Sequence, residues 1–293
     1  MSGHSTAPGS AFRHPEGIDL VRRIAETVGW GSRFRDKVLI AAYYGLLMIW
    51  SGLHLRPLMR GMWPYFWLGS VQADTPAGRF ECRGSTTDFD IINPNYEPAL
   101  IDAVSEGLMS RLDGSPVFVD VGAHIGKYTV LAGRLLRGRG TVLAVEPDPD
   151  NFQALERNVA RNALDNVRCL NIGCWSVEGT LTLYRDSGNL GGHSFMEERG
   201  GERISVPVKT LDTIIREEGI GRVDLIKIDV ELAEFHVLQG ARRVLESSPN
   251  VTVFFEESAD PKTSQAVRML TDLGFQVHRL AGITYVGSRP RKP

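Results

Sequence analysis

The sequence contains little cysteine and no strong excess of charge of either sign. Its 293 residues include three cysteines, Cys82, Cys169 and Cys174, which form neither an even-numbered disulfide framework nor the spacing of a zinc site. The formal net charge of −2 gives no overall attraction to nucleic acid. These scarcities argue against a disulfide-stabilised secreted domain and against a nucleic-acid-binding protein, and they favour a reducing compartment.

The first 17 residues lack any apolar run. They are polar and rich in Gly, Ser and Pro, so we expect a disordered start rather than a signal peptide. Eight basic and four acidic residues precede Val71, which gives that part +4 and leaves −6 for the rest. We therefore expect two kinds of structure, a helical hydrophobic extension over residues 18–75 and a larger domain over residues 76–293.

One long uncharged segment is present at residues 38–55. Its 18 residues contain no Lys, Arg, Asp or Glu, which is near the lower limit of roughly 17–25 residues for crossing a bilayer. Residues 38–69 could form a buried helical subdomain, a true span, or a helix in the membrane interface. In the last case four aromatic side chains would lie at headgroup level, namely Trp50, Trp63, Tyr65 and Trp67.

The distribution of basic residues bears on these three interpretations. Most Lys and Arg residues of this part of the chain precede the uncharged segment. A single span would therefore place everything after it outside the cell. We expect a cytoplasmic protein, with contact to the inner face of the membrane as the alternative.

From residue 76 onward, short apolar strands alternate with helices, which is typical of a parallel sheet with right-handed crossovers. The predicted strands are residues 117–121, 141–145, 167–172, 225–228 and 251–255. The predicted helices are residues 96–112, 127–136, 149–163, 235–246 and 262–273. We also expect a hairpin over residues 80–92, extra β segments at 180–184 and 204–209, and a final antiparallel pair at 275–278 and 283–286.

A glycine loop follows the first predicted strand of this sheet, in VFVDVGAHIGKY. Asp120 lies at the carboxyl end of the strand, where ligands bind in doubly wound sheets. Gly122 can adopt a positive φ and leaves room for a ligand to approach the backbone, and Gly126 allows close packing of helix and strand. The helix that begins at Lys127 points its free N–H groups into the same crevice. We therefore predict a ligand site here, with Ala123 and His124 in the loop.

A second acidic residue follows the next strand, in LAVEPDPDN. Glu146 lies 20 residues after Gly126 and can accept both hydroxyls of a ribose; Pro147 follows it. The loop reads D-x-G-A-x-x-G and lacks the G-x-G-x-x-G pattern of dinucleotide enzymes. The carboxylate of Asp120 suits a ligand with an ammonium group, such as S-adenosylmethionine, which carries no phosphate. The pattern favours this methyl donor over a dinucleotide.

Four stretches resemble the FkbM-like family of S-adenosylmethionine-dependent methyltransferases, in the order seen in that family: DVGAHIGKYTVLAG, VEPDPDNFQALERNVARN, VPVKTLDTII and LIKIDVELAEFHVLQGA. The resemblance covers roughly residues 80–290. It implies a Rossmann-like α/β fold with a seven-stranded, mostly parallel sheet, the class I methyltransferase fold. It also implies that Asp120, Gly122 and Gly126 cradle the methionine end, that Glu146 binds ribose, and that Asn171 and Gly173 lie near the adenine.

Two positions depart from the family pattern. His124 stands where the family usually has Asn, and Leu232 stands where it has Gly. A bulky side chain at Leu232 would reshape the acceptor pocket or change the backbone turn.

The carboxyl end of the fourth strand, in LIKIDVELAE, is where the chemistry of methyl transfer would occur. An alcohol acceptor needs a general base or a metal ion. Lys227, Asp229 and Glu231 alternate in an extended segment and can share one face. We predict Asp229 as the base or acceptor-positioning group, Glu231 as the next candidate, and Lys227 as the cation that keeps a carboxylate ionised. A purely structural ion-pair network is the alternative.

Two further candidates surround this strand. His193 lies in the glycine-rich SGNLGGHSF and could act as a base if neutral. A divalent metal at Asp229, Glu231 and Glu256 is conceivable from the carboxylate count, but no metal site is predicted.

The sequence thus predicts a methyltransferase that uses S-adenosylmethionine. We expect O-methylation of a hydroxyl on a sugar, glycolipid or natural product. A tRNA or protein methyltransferase is one alternative, although the acidic balance of the second part argues against RNA. A non-catalytic, membrane-associated binding module with the same fold is the other.

Overall fold

The computed structural model describes residues 17–52, 69–186 and 189–289. The strands within them are β1 (Val71–Thr75), β2 (Gly78–Cys82), β3 (Val117–Val121), β4 (Thr141–Val145), β5 (Val167–Leu170), β6 (Gly173–Cys174), β7 (Gly179–Asp186), β8 (Gly200–Lys209), β9 (Leu225–Ile228), β10 (Thr252–Glu256), β11 (Gln276–Ala281) and β12 (Thr284–Ser288). The helices are α1 (Gly17–Gly29), α2 (Phe34–Gly52), α3 (Asp88–Ile91), α4 (Pro98–Met109), α5 (Lys127–Leu135), α6 (Pro149–Arg161), α7 (Leu211–Glu217), α8 (Glu234–Gly240), α9 (Arg242–Ser247) and α10 (Gln265–Asp272).

A seven-stranded sheet organises the larger domain, in the order β11–β12–β10–β9–β3–β4–β5. The neighbouring strands β10, β9, β3, β4 and β5 pair in parallel, whereas β12 runs antiparallel to both β10 and β11. This confirms the expected α/β class and the mostly parallel sheet. Because β3, β4, β9 and β10 run in one direction, their carboxyl ends meet at one edge of the sheet.

The central strands are apolar along almost their whole length because helices cover both faces of the sheet. On one face Val119, Leu143 and Ile226 pack against α7, α8, α9 and α10. On the other face Phe118 and Val142 pack against α4 and α5. Two-sided burial explains why continuous apolar runs, rather than alternating patterns, form these strands.

Two regions differ from the sequence-based prediction. The hairpin expected over residues 80–92 is wrong, since β2 pairs with β1 across a short turn and α3 follows. The Asp88 carboxylate accepts hydrogen bonds from the backbone N–H and the guanidinium of Arg83, which closes the loop before α3. The helix predicted over residues 235–246 is divided into α8 and α9. At the end of α8, a Cβ on Gly240 would lie 2.1 Å from the carbonyl oxygen of Trp175, so the chain passes this loop at close range.

The N-terminal helices pack on the β1–β2 hairpin and on α3. Ile40 and Tyr43 of α2 are buried, and the Tyr43 hydroxyl lies 3.2 Å from Oδ1 of Asp90. The buried-subdomain interpretation accounts for these two side chains. The predicted boundary between residues 75 and 76 falls in the turn of the hairpin. The expected disordered start, residues 1–17, lies outside the described residues except for Gly17, as do Trp63, Tyr65, Trp67 and the side chain of Trp50.

Among the described residues, no helix combines the length and the apolar character that crossing a membrane requires.

Candidate active site

A cavity of about 260 Å³ opens at the carboxyl edge of the sheet. The loops after β3, β4 and β9 and the last residue of β10 contribute to its lining, together with the segment before α4 and the loop between β7 and β8. The topology therefore brings most of the sequence-predicted site residues together. Those that line the cavity are Gly122, Ala123, His124, Glu146, Pro147, His193, Lys227, Asp229 and Glu231.

The glycine loop is shaped by close contacts that exclude side chains. Gly122 has a φ of +76°, and a Cβ there would lie 1.8 Å from the carbonyl oxygen of Asp229. Gly126 has a φ of +91°, and a Cβ there would lie 2.6 Å from Cδ1 of Leu155. Both positions therefore need glycine for conformation and for space. The first contact also fixes the backbone of Asp229 against the loop.

Glu146 occupies the position predicted for a ribose-binding carboxylate. It lines the cavity, and its oxygens accept backbone hydrogen bonds from His124 at 2.7 Å and Asp148 at 3.0 Å. Burial raises its pKa to about 7. Each carboxylate oxygen retains a further lone pair, so the group can also accept hydrogen bonds from a diol in the cavity.

Asn171 and Gly173, the two residues predicted to lie near the adenine, make different contacts. Asn171 donates its side-chain amide to the carbonyl oxygens of Glu146 and Pro147 at 2.9 and 3.1 Å. Gly173 begins β6 and packs against Phe195. Neither Asn171 nor Gly173 is among the residues that line the cavity. Asn171 thus shapes the loop after β4 from behind it.

The resemblance implied that Asp120 contacts the methionine end of the cofactor, but Asp120 is not among the residues that line the cavity. Its side chain is fully buried, and its carboxylate accepts a hydrogen bond from Thr129 at 2.7 Å and lies 3.5 Å from Nζ of Lys227. Lys227 lies 3.2 Å from Asp229 as well. Although burial opposes the charged form of Lys227, Asp229 and Asp120 raise its pKa. The lysine is therefore a buried cation between two carboxylates.

Three more carboxylates surround Asp229 on the far side of the cavity. Burial, and then the charge of Asp229, raise the pKa of Glu231 to about 7 and that of Glu256 to about 9, and raise that of Glu97. Arg199 lies 3.3 Å from Glu231. The described parts of the chain contain no group of three or more His, Cys, Asp or Glu side chains arranged to hold a metal ion.

His193 is bound in a way that does not suit a base. Its Nδ1 accepts the backbone N–H of Asp186 at 2.9 Å, and its Nε2 lies 3.7 Å from Oδ2 of Asp148. Burial lowers its pKa, so the ring is neutral and its proton lies on Nε2. Neither nitrogen then has a free lone pair to accept a proton. His193 instead contacts the loop after β4.

His124 also holds a neutral ring. Burial lowers its pKa to about 4, and its Nε2 lies 3.3 Å from the guanidinium of Arg83. The proton is then on Nδ1, which is buried and has no hydrogen-bond partner among the described residues. A buried donor without a partner is costly, and this one belongs to a side chain that lines the cavity.

Lys127 and Glu97 are among the cavity residues that the sequence did not predict. Lys127 is the first residue of α5, where the helix dipole disfavours a cation. That unfavourable position was the available signal. Glu97 carried none, because only the packing of α4 against α5 brings it to within 3.9 Å of the Lys127 ammonium.

Leu232 lies in the backbone turn after β9 without changing it, and its side chain does not fill the acceptor pocket. Its φ is +77°, in the left-handed region that favours glycine. Its side chain is 44% exposed and is not among the residues that line the cavity. Leucine here strains the turn and leaves the cavity open.

The geometry is that of a class I methyltransferase, and comparison with known proteins agrees. The methyltransferase FkbM domain matches residues 120–277. Methyltransferase sdnD of Sordaria araneosa is 31% identical over 205 residues, which cover 58% of this chain and 78% of that protein. The chain therefore belongs to the FkbM family of methyltransferases and is an S-adenosylmethionine-dependent enzyme.

Two further relatives carry names that specify a substrate. The 31-O-demethyl-FK506 methyltransferase FkbM of Streptomyces tacrolimicus is 29% identical over 193 residues, covering 56% of this chain and 74% of that protein. The hexuronic acid methyltransferase AglP of Haloferax volcanii is 28% identical over 157 residues, covering 53% of this chain and 62% of that protein.

We predict that Leu232→Gly stabilises the protein. A left-handed backbone costs a non-glycine residue about 1–2 kcal/mol, while the glycine adds unfolded-state entropy. The net gain in unfolding free energy should be about 0.5–1 kcal/mol, measured by urea denaturation. Val177→Gly, at an exposed position without a positive φ, should lower stability. Equal losses in both variants would contradict the strain assigned to Leu232.

Proposed function

We propose that the protein methylates a hydroxyl group of a small polar acceptor such as a sugar, glycolipid or natural product. The observation that carries the proposal is the position of Asp229. Its carboxylate lines the cavity, is held at 3.2 Å by the ammonium of Lys227, and adjoins the glycine loop. A carboxylate fixed at this point can orient an acceptor hydroxyl and take its proton.

The side chains of the cavity fit S-adenosylmethionine. Glu146 can accept the ribose hydroxyls, and two buried polar atoms without partners among the described residues, Nδ1 of His124 and Oδ1 of Asn151, belong to cavity-lining side chains. The carboxylates around Asp229 suit a ligand with positive charges and oppose a pyrophosphate. When bound, this cofactor supplies an activated methyl group on a positively charged sulfur.

The chain's own residues would perform two tasks. Gly122 lets the ligand approach the backbone, because a side chain there is excluded by the loop after β9. Lys227 holds Asp229 so that its carboxylate faces the acceptor rather than solvent. Positioning of this kind supplies a large share of the barrier reduction in two-substrate reactions.

Carboxyl groups dominate the acceptor side of the cavity, which supports a hydroxylated acceptor. With a pKa of about 9, Glu256 is protonated at neutral pH and can donate a hydrogen bond, whereas Asp229 can accept one. A sugar offers both donors and acceptors to such a pair. The names of two relatives specify a hexuronic acid and 31-O-demethyl-FK506 as substrates, which supports an O-methylated acceptor of this class.

We also propose that helix α2 contacts the inner face of the membrane. Phe34 and Val38, in its first turns, are exposed apolar residues, and the exposed Arg35 and Lys37 lie between them. Apolar side chains interspersed with basic ones favour binding to an anionic lipid surface. Such contact would bring the cavity to lipid-linked acceptors.

The catalytic proposal predicts different effects on binding and turnover. Asp229→Asn should bind S-adenosylhomocysteine within about threefold of the wild type and lose at least 100-fold in methyl transfer, because proton acceptance contributes roughly 10²–10⁴-fold. Calorimetry and transfer of labelled methyl groups to sugar and glycolipid extracts measure the two effects. Asp260→Asn, in an exposed loop, is the matched control. Full turnover by Asp229→Asn would refute the role of this residue.

The membrane proposal is tested by co-sedimentation with lipid vesicles. The full-length protein should bind phosphatidylglycerol vesicles more than phosphatidylcholine vesicles. Phe34→Ser should strongly reduce the fraction of protein that sediments with phosphatidylglycerol vesicles. Met109→Ser removes another exposed apolar side chain, from α4, and should have no effect. If both substitutions leave vesicle binding unchanged, α2 is not the contact.

A further inference from the structure

The cavity contains a lysine–glutamate pair that the proposed chemistry does not use. Nζ of Lys127 is buried, donates to the carbonyl oxygen of Tyr96 at 2.6 Å, and lies 3.9 Å from Oε2 of Glu97. Glu97 also accepts a hydrogen bond from the Tyr128 hydroxyl at 3.0 Å. The ammonium and the carboxylate are thus neighbours, but they are too far apart for a direct hydrogen bond.

The two lysines that line the cavity differ in how their charge is balanced. Lys227 lies within 3.5 Å of two carboxylates, Asp120 and Asp229. Among the described residues, the carboxylate nearest to the Lys127 ammonium is that of Glu97, at 3.9 Å, and burial lowers the pKa of Lys127 to about 8. Lys127 therefore has unused capacity to bind an anion, because an ammonium has three donors.

Glu97 can bind a cation, just as Lys127 can bind an anion. Burial, and then the charge of Asp229, raise its pKa, so a cation placed beside it would be favoured. Its side chain is partly exposed and lines the cavity. A ligand that carried an ammonium and a carboxylate together would satisfy both Glu97 and Lys127.

The residue expected to bind the ammonium group of the donor is not available for it. Asp120 is fully buried, does not line the cavity, and is engaged by Thr129 and Lys227. The α-amino acid end of the donor therefore needs another partner. Lys127 directly follows the glycine loop at the start of α5, where the free N–H groups also favour a carboxylate.

We propose that Lys127 and Glu97 bind the α-amino acid end of S-adenosylmethionine, Lys127 at its carboxylate and Glu97 at its ammonium. This assignment rests on the proposed function, since it presumes that the cavity holds an adenosyl donor. It replaces Asp120 in that role and leaves Asp120 to position Lys227. It also gives the cavity a defined order, with ribose at Glu146, the reacting methyl near Asp229, and the amino acid end between α4 and α5.

Three ligands separate the ends of the donor: S-adenosylhomocysteine, its decarboxylated analogue, and 5′-methylthioadenosine, which lacks the amino acid end. Lys127→Met should weaken the binding of S-adenosylhomocysteine roughly 10- to 100-fold, the effect of one charge-assisted hydrogen bond. The affinities of this variant for the other two ligands should stay within about twofold of the wild-type values. Lys262→Met, at an exposed lysine, is the control and should change none of the three affinities.

The second variant tests the other charge with little risk to the fold, because Gln keeps the shape of Glu97 and its bond to Tyr128. Glu97→Gln should weaken the binding of S-adenosylhomocysteine and of the decarboxylated analogue roughly 5- to 50-fold. The affinity for 5′-methylthioadenosine should not change. If Lys127→Met fails to fold, as judged by its thermal transition, Glu97→Gln alone decides.

Two results would overturn the assignment. Equal losses for all three ligands would mean that the pair only supports the cavity, and no loss for any ligand would mean that it serves the acceptor. Failure of the wild type to bind both S-adenosylhomocysteine and 5′-methylthioadenosine is a separate outcome, which would refute the proposed donor site itself.

Discussion

The buried ammonium of Lys227 joins the ends of the two central strands, and the geometry of the cavity depends on it. It lies 3.5 Å from Asp120 on β3, 3.2 Å from Asp229 after β9, and 3.3 Å from the carbonyl oxygen of Gly122. Removing one partner of such a buried group typically costs about 3–5 kcal/mol. The same contact fixes the glycine loop, the base candidate and the register of β3 and β9.

Much of this arrangement could be predicted from the sequence, because it is encoded locally. Strands β3, β4 and β9 have the predicted bounds, since each is a short apolar run that helices cover on both faces. The positions of Gly122 and Glu146 at strand ends follow from the same runs. A parallel sheet brings such ends to one edge whatever the rest of the chain does.

The remaining features depend on contacts between distant residues. Sequence alone could not show that Asp120 turns toward Lys227 and Thr129. Nor could it show that Nδ1 of His193 accepts the backbone N–H of Asp186 while its Nε2 faces Asp148. Likewise, the β1–β2 hairpin was missed because its first strand, VQADT, is weakly apolar. The hairpin gains its stability from packing of β1 on α2 and of β2 on α6. The conformation of these groups is set by packing rather than by pattern.

The central claim is that the cavity binds an adenosyl ligand through the carboxylate after β4 and has no place for a pyrophosphate. The most direct test is calorimetric titration of the wild type and of Glu146→Gln with S-adenosylhomocysteine and with NAD. The account predicts that the wild type binds S-adenosylhomocysteine and not NAD, and that Glu146→Gln weakens this binding at least tenfold, the loss of about one strong hydrogen bond. Absence of S-adenosylhomocysteine binding, or equal binding of NAD, would contradict it.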